Sequence, residues 1–233
     1  MTSGMLVPRR RRGGVGGTAA VAGSTAATGV LDWESALVAE LADEIPAAGE
    51  WEWLRSAHGV IRNRIRPVYA LNDLQSASTS VRRGRGSCSQ RLAVLEAVAR
   101  SRGIRTRVEG LAVDGRFWYP RFGRLRPLVP RRVILAWPEF FVAGQWLAVG
   151  ELFETAEPGA FTNAGAETLF DAIGRTGVAW GGDCADGVCD LSGWVVERLG
   201  YFDHRDELFA QQRQTLCWTA RTIGEPVLSY RSA

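Results

Sequence analysis

Apolar residues recur at helical spacing in three stretches of the N-terminal half, then at alternating spacing in the stretches that follow. Leu37, Leu41 and Ile45 fall at four-residue steps behind Asp32, which reads as the helix cap, and Pro46 ends the run. A second helix is predicted from about Trp51 to Ile65, with Leu54, Ile61 and Ile65 on its stripe. A third opens at Cys88, carries Leu92, Leu95 and Ala99 in line with the cysteine, and stops at Gly103. Strands are predicted at Ile104 to Leu111, Arg116 to Phe122, Val133 to Val142 and Gln145 to Val149. Helices followed by strands predict an α+β fold, an antiparallel sheet against the cysteine helix and the N-terminal helices. A two-residue turn at Ala143-Gly144 sets Trp137 opposite Gly150 and puts Leu135, Trp137 and Glu139 on one face with Gly150.

Candidate chemistry begins at Arg85-Gly86-Ser87-Cys88-Ser89-Gln90, where a glycine-rich loop becomes an amphipathic helix. Unpaired N–H groups in a helix's first turn, with the positive end of its dipole, favour a thiolate over a thiol. Arg82, Arg83 and Arg85 add a local positive patch that suits a thiolate or an anionic substrate and equally serves loop solubility.

These residues resemble the transglutaminase-like superfamily, which shares its core with papain-type cysteine proteases. Gly86-Ser87-Cys88 and Arg102-Gly103-Ile104-Arg105-Thr106-Arg107-Val108 fit the family's Gly-x-Cys helix start and its Gly-Ile lead into a strand. Leu135-Ala136-Trp137-Pro138-Glu139, the turn, and Trp146-Leu147-Ala148-Val149-Gly150 fit the family's His-Ala-Trp-x-Glu hairpin and Trp-x-x-Val-Asp. Ala57 to Ile65, Tyr69 and Ser76-Ala77-Ser78 look like its helix and extended lead-in, so the resemblance covers roughly residues 50 to 155.

In the family a Cys-His-Asp triad does the chemistry, the histidine taking the thiol proton and the aspartate orienting the imidazole. The resemblance puts Leu135 in the histidine slot and Gly150 in the aspartate slot. Glu139, the ionisable side chain on that face, is a candidate to take the proton, or a structural glutamate. Glu151 points to the opposite face unless a bulge turns it. A displaced imidazole has to be His58 or His204, the two histidines of the chain. His58 borders the second helix's packed stripe and reads as a core histidine. His204 lies in Tyr201-Phe202-Asp203-His204-Arg205-Asp206, a loop entering a helix with Asp203 or Asp206 as cap, and reaches Cys88 only through a C-terminal fold-back. The catalytic set on this reading is Cys88, Glu139 and His204. Trp137, Gln90, Tyr119 and Arg121 are the substrate-facing set. The last two belong to Phe117-Trp118-Tyr119-Pro120-Arg121-Phe122, whose rings and guanidinium suit an acyl or aryl group beside a carboxylate and equally suit edge-strand packing.

Composition narrows the partners. All 28 basic side chains are arginine, which excludes lysine Schiff-base chemistry and otherwise reads as the coding bias of a high-GC genome. Arg9 to Arg12 are the only charges among the first thirty residues, and setting them aside leaves 24 basic against 25 acidic side chains. A near-neutral body argues against an extended nucleic-acid footprint. The Gly, Ala, Ser and Thr that follow those arginines make residues 1–30 a flexible tail rather than an export signal. No apolar run approaches a bilayer span, so a cytoplasmic location is expected. Residues 31–233 are read as one domain with a C-terminal extension from about 155. In that extension Cys184 and Cys189 share a turn-rich loop. Free thiols, a local disulfide and half a zinc site with Cys217 and His204 compete there, in that order, and no metal or cofactor is assigned.

Two function classes follow. One is an enzyme with a degenerate triad that uses Cys88 for acyl transfer or amide or thioester chemistry on a small-molecule or peptide substrate. The other is an inactive scaffold that keeps the fold and binds a ligand or protein partner.

Overall fold

The computed structural model describes residues 21–46, 49–69, 72–153, 161–181 and 189–212. Four helices precede the sheet: α1 (Ala36–Asp43), α2 (Glu50–Arg64), α3 (Ala77–Arg83) and α4 (Cys88–Ser101). The main sheet is antiparallel in the order β5-β4-β3-β8, formed by β3 (Thr106–Asp114), β4 (Arg132–Val142), β5 (Gln145–Ala148) and β8 (Val195–Phe202). Two short parallel pairs flank it: β1 (Arg66–Pro67) with β2 (Arg85–Gly86), and β6 (Val178–Ala179) with β7 (Cys189–Asp190). Helices α6 (Leu169–Thr176) and α7 (Arg205–Gln212) come from the C-terminal extension. The architecture is α+β, with an antiparallel sheet packed by helices.

Alternation along β4 divides the interior in two. Leu135 and Trp137 join the large core with Leu92, Leu95 and Val98 of α4, whereas Ile134 and Ala136 join a smaller cluster with Leu208 and Phe209 of α7. Gly110 of β3 admits α7, since a Cβ there would lie 2.7 Å from Leu208 Cδ1 and 3.0 Å from Phe202. Every residue of α4 from Gln90 to Arg100 is buried, including Arg91, Glu96 and Arg100. The cysteine helix is therefore the central element, covered on all sides rather than on the one predicted stripe.

Four sequence expectations are corrected. The stretch 116–122 is not a strand: Gly115–Trp118 forms a 3₁₀ turn and Tyr119–Phe122 a helical turn, α5, because Pro120 and Gly123 (φ 46°) punctuate it. Ser76 to Ser78 is not extended; Ser76 caps α3, its hydroxyl accepting from the Thr79 N–H. Ser35 precedes α1 as its N-cap, while Asp32 instead accepts the Ser78 N–H at 2.9 Å, tying α3 to the N-terminal segment. The stretch 21–30, which composition assigns to the tail, packs on the domain. Ser24 pairs with Thr106, Arg100 Nη1 donates to the Ala26 carbonyl at 2.7 Å, and Val30 is buried.

Candidate functional site

The start of α4 is built by a capping box. The Ser87 hydroxyl accepts the Gln90 N–H at 3.3 Å, and Gln90 Oε1 accepts the Ser87 N–H at 3.0 Å. Gly86 just before it packs on Gln90 and Ile65, and its carbonyl receives the Val68 N–H, which holds the loop against the segment after α2. Cys88 is thereby fixed as the first residue of the helix, half-buried and packed against the large core. The same box consumes Gln90, which is buried and donates its Nε2 to the Asn72 carbonyl at 3.0 Å. Its amide is fully engaged inside the protein.

The face of β4 is equally committed. Leu135 and Trp137 are buried, and Trp137 meets Trp180 edge-to-face at 5.9 Å. Glu139 accepts from Arg107 Nε at 2.7 Å and from its Nη2 at 2.6 Å. The Arg107 guanidinium is itself held between the rings of Trp146 and Tyr201, at 4.2 and 4.1 Å. Burial, with the Glu139 and Glu109 charges behind it, pushes the Tyr201 hydroxyl up, and burial likewise raises the Glu109 carboxyl beside Arg198. The hairpin register is the predicted one, Glu139 opposite Ala148 and Val142 opposite Gln145.

Beyond β5 the chain makes a 3₁₀ turn over Val149–Glu151, and Gly150 lies against Trp137. A Cβ built on Gly150 would overlap the Val178 carbonyl oxygen and come within 3.0 Å of Trp137 Cζ2. Strand β6, from the C-terminal extension, thus fills the space of a side chain at 150. Glu151 is exposed and accepts the Ala148 N–H at 3.3 Å.

Both histidines serve the fold. His58 is buried between α2 and α6, stacked on Phe170 at 4.2 Å, and its Nε2 donates to the Phe170 carbonyl at 2.7 Å. Burial holds its pKa down at about 4, so the ring is neutral. His204 Nδ1 accepts the Glu207 N–H at 3.2 Å, so this ring, rather than Asp203 or Asp206, caps α7. The Asp206 carboxylate instead takes the Val30 N–H at 3.0 Å and the Thr28 hydroxyl at 2.7 Å. Asp203 is held through its carbonyl by Arg100, about three turns or 18 Å along α4 from Cys88. No imidazole or carboxylate among the described residues hydrogen-bonds to Cys88 Sγ.

The C-terminal fold-back does reach the cysteine helix, through Arg205 instead of His204. Arg205 is fully buried, pairs with Glu96, and donates to the Ser89 carbonyl at 2.9 Å. Burial raises the Glu96 carboxyl against the opposing pull of that guanidinium. Arg91 makes the matching link to α6, donating to Asp171 at 3.0 Å and lying over Phe170 at 4.2 Å. Sequence reasoning missed these charges; their signal is Arg91, Glu96 and Arg100 standing inside an otherwise apolar helix.

Tyr119 is half-buried, and Arg121 donates to the Asn163 side chain and the Glu167 carbonyl, so the predicted substrate guanidinium anchors the extension. In the positive patch Arg83 donates to Gln75 at 2.6 Å and Arg82 stays exposed. Cys189 is a half-buried free thiol whose sulfur accepts the Phe161 N–H at 3.2 Å; Cys184 and Cys217 lie outside the described residues. Among the described residues no cluster of His, Cys, Asp and Glu could hold a metal, and no helix is long and apolar enough to cross a membrane.

The family model of the transglutaminase-like superfamily matches residues 39–150, from within α1 to Gly150. No curated protein and no solved structure matches the chain. With a capped cysteine helix packed on an antiparallel hairpin inside those bounds, the segment 39–150 belongs to the transglutaminase-like superfamily.

Proposed function

We propose that the chain is a catalytically inactive transglutaminase-like scaffold that binds a ligand or a protein partner. The observation that carries this reading is the use of both histidines elsewhere: His58 against the Phe170 carbonyl and His204 as the cap of α7. A cysteine nucleophile in this family draws its proton acceptor from an imidazole, and proton transfer contributes about 10² to 10⁴ in rate. Two further features support it. Glu139 is bound by Arg107, and the space at Gly150 belongs to Val178, which leaves neither a free carboxylate nor room for one beside Trp137.

One observation favours the second reading, an enzyme that uses Cys88 for acyl transfer or amide hydrolysis. The thiol is half-exposed at a capped helix start, where developing negative charge is stabilised. Incubation with peptide amides and an acceptor amine separates the two. The scaffold reading expects no product that disappears in Cys88→Ala; amine incorporation or amide hydrolysis that requires Cys88 would overturn it.

A further inference from the structure

A surface groove of about 480 Å³ opens at the C-terminal ends of α1 and α4, far from Cys88. That volume lies in the range of small-ligand sites. Trp33, Glu34, Asp43, Trp53, Ser101 and Arg102 line it. Its wall is electrically one-sided. Asp43 is the last residue of α1, a helix with no basic residue in its final turn, so a carboxylate sits on the negative pole of its own helix. Ser101 is the last residue of the 14-residue α4, which brings a second negative pole to the same groove. Glu34 adds a second carboxylate. Glu34, Asp43 and Arg102 make no side-chain hydrogen bond or ion pair among the described residues, and together they carry one net negative charge. The indole of Trp33 is fixed by its Nε1–H, which donates to the Thr25 carbonyl at 3.0 Å.

Two carboxylates, two helix C-termini and two indoles all favour a monovalent cation, and an indole favours a flat, weakly hydrated one. We propose that this groove binds the guanidinium group of an arginine side chain or arginine-like ligand. The site is independent of the scaffold reading, because it lies at the opposite end of α4 from Cys88. The guanidinium has two sources: a separate molecule, or the chain's own Arg9 to Arg12.

The test is calorimetric titration of the full chain with N-acetylarginine amide, a monocation, and N-acetylcitrulline amide, its uncharged analogue. The proposal expects saturable binding of the arginine compound alone. The double variant Glu34→Gln/Asp43→Asn, changed at two exposed side chains, is expected to bind it about tenfold more weakly. A second chain with Arg9 to Arg12 changed to serine distinguishes the sources. Tighter binding than wild type assigns the site to the chain's own arginines, and equal binding assigns it to a separate ligand. No saturation in either chain, equal binding of the citrulline compound, or unchanged affinity in the double variant would each overturn the proposal.

Discussion

The carbonyl oxygen of Val178 occupies the space that a side chain at Gly150 would take. The contact joins the end of the family-matched segment to β6 of the C-terminal extension, and Trp180 completes it by packing on Trp137. Because the obstacle is backbone, it cannot rotate away. Gly150→Ala is expected to destabilise the fold by about 3 kcal/mol, with Gly150→Asp at least as costly. Thermal melts check this; a change in Tm indistinguishable from wild type for Gly150→Ala would contradict the packing.

Arg205 and Glu96 join α7 to the cysteine helix without contact with water. Removing one partner leaves the other charge buried, so Glu96→Gln and Arg205→Met are each expected to cost about 3 to 5 kcal/mol. The double variant Glu96→Leu/Arg205→Met is expected to cost less than the sum of the singles, which urea denaturation in a double-mutant cycle reads directly. Additive losses would mean that the pair is not coupled.

His58 makes stability depend on pH in a defined window. Its pKa is about 4 in the fold against 6.5 for a free imidazole, so the unfolded chain binds the extra proton between those values. Its contribution is complete above about pH 6.5 and is lost as pH falls toward 4, in total about 3 kcal/mol. His58→Leu leaves the Phe170 carbonyl without its donor and lowers stability at neutral pH, but is expected to flatten this part of the profile. An unchanged slope in the variant would assign the titration to another group.

Ala143 has φ 50° and Gly144 φ 85° in the β4–β5 turn. Two positive φ values are what a two-residue hairpin turn demands, and alanine pays a steric cost at the first of them. Ala143→Asn or Ala143→Gly is expected to raise stability by about 0.5 to 1 kcal/mol, measured as a higher Tm. A lower Tm for both would show that the turn is not of this kind.

The legible parts of the fold were those in which one periodicity decides the outcome. The helix from Trp51, the helix opening at Cys88 and the hairpin register around Ala143-Gly144 follow from local pattern alone. Helix α3 did not, because its serines make no apolar stripe and Ser76 acts through a cap. The aromatic run 117–122 misleads because strand-favouring side chains there are overruled by Pro120 and its flanking glycines. At the site, the position of Cys88 was legible from the helix start. The fates of Gln90, Glu139 and His204 were not, since each is decided by one partner: Asn72, Arg107 and the Glu207 N–H. Arg107 and Asn72 lie many residues away in sequence, and the cap by an imidazole three residues before its donor mimics an ordinary loop.

The central claim is that Cys88 has no proton acceptor. Multiple-turnover hydrolysis of p-nitrophenyl acetate, compared between the full chain and Cys88→Ala, tests it most directly, because an activated ester asks least of the leaving group. Loss of the thiol is expected to change the steady-state rate by no more than about twofold, any single acylation of Cys88 aside. A wild-type turnover about 10²-fold or more above Cys88→Ala would mean that a base acts on Cys88, and would contradict the scaffold account.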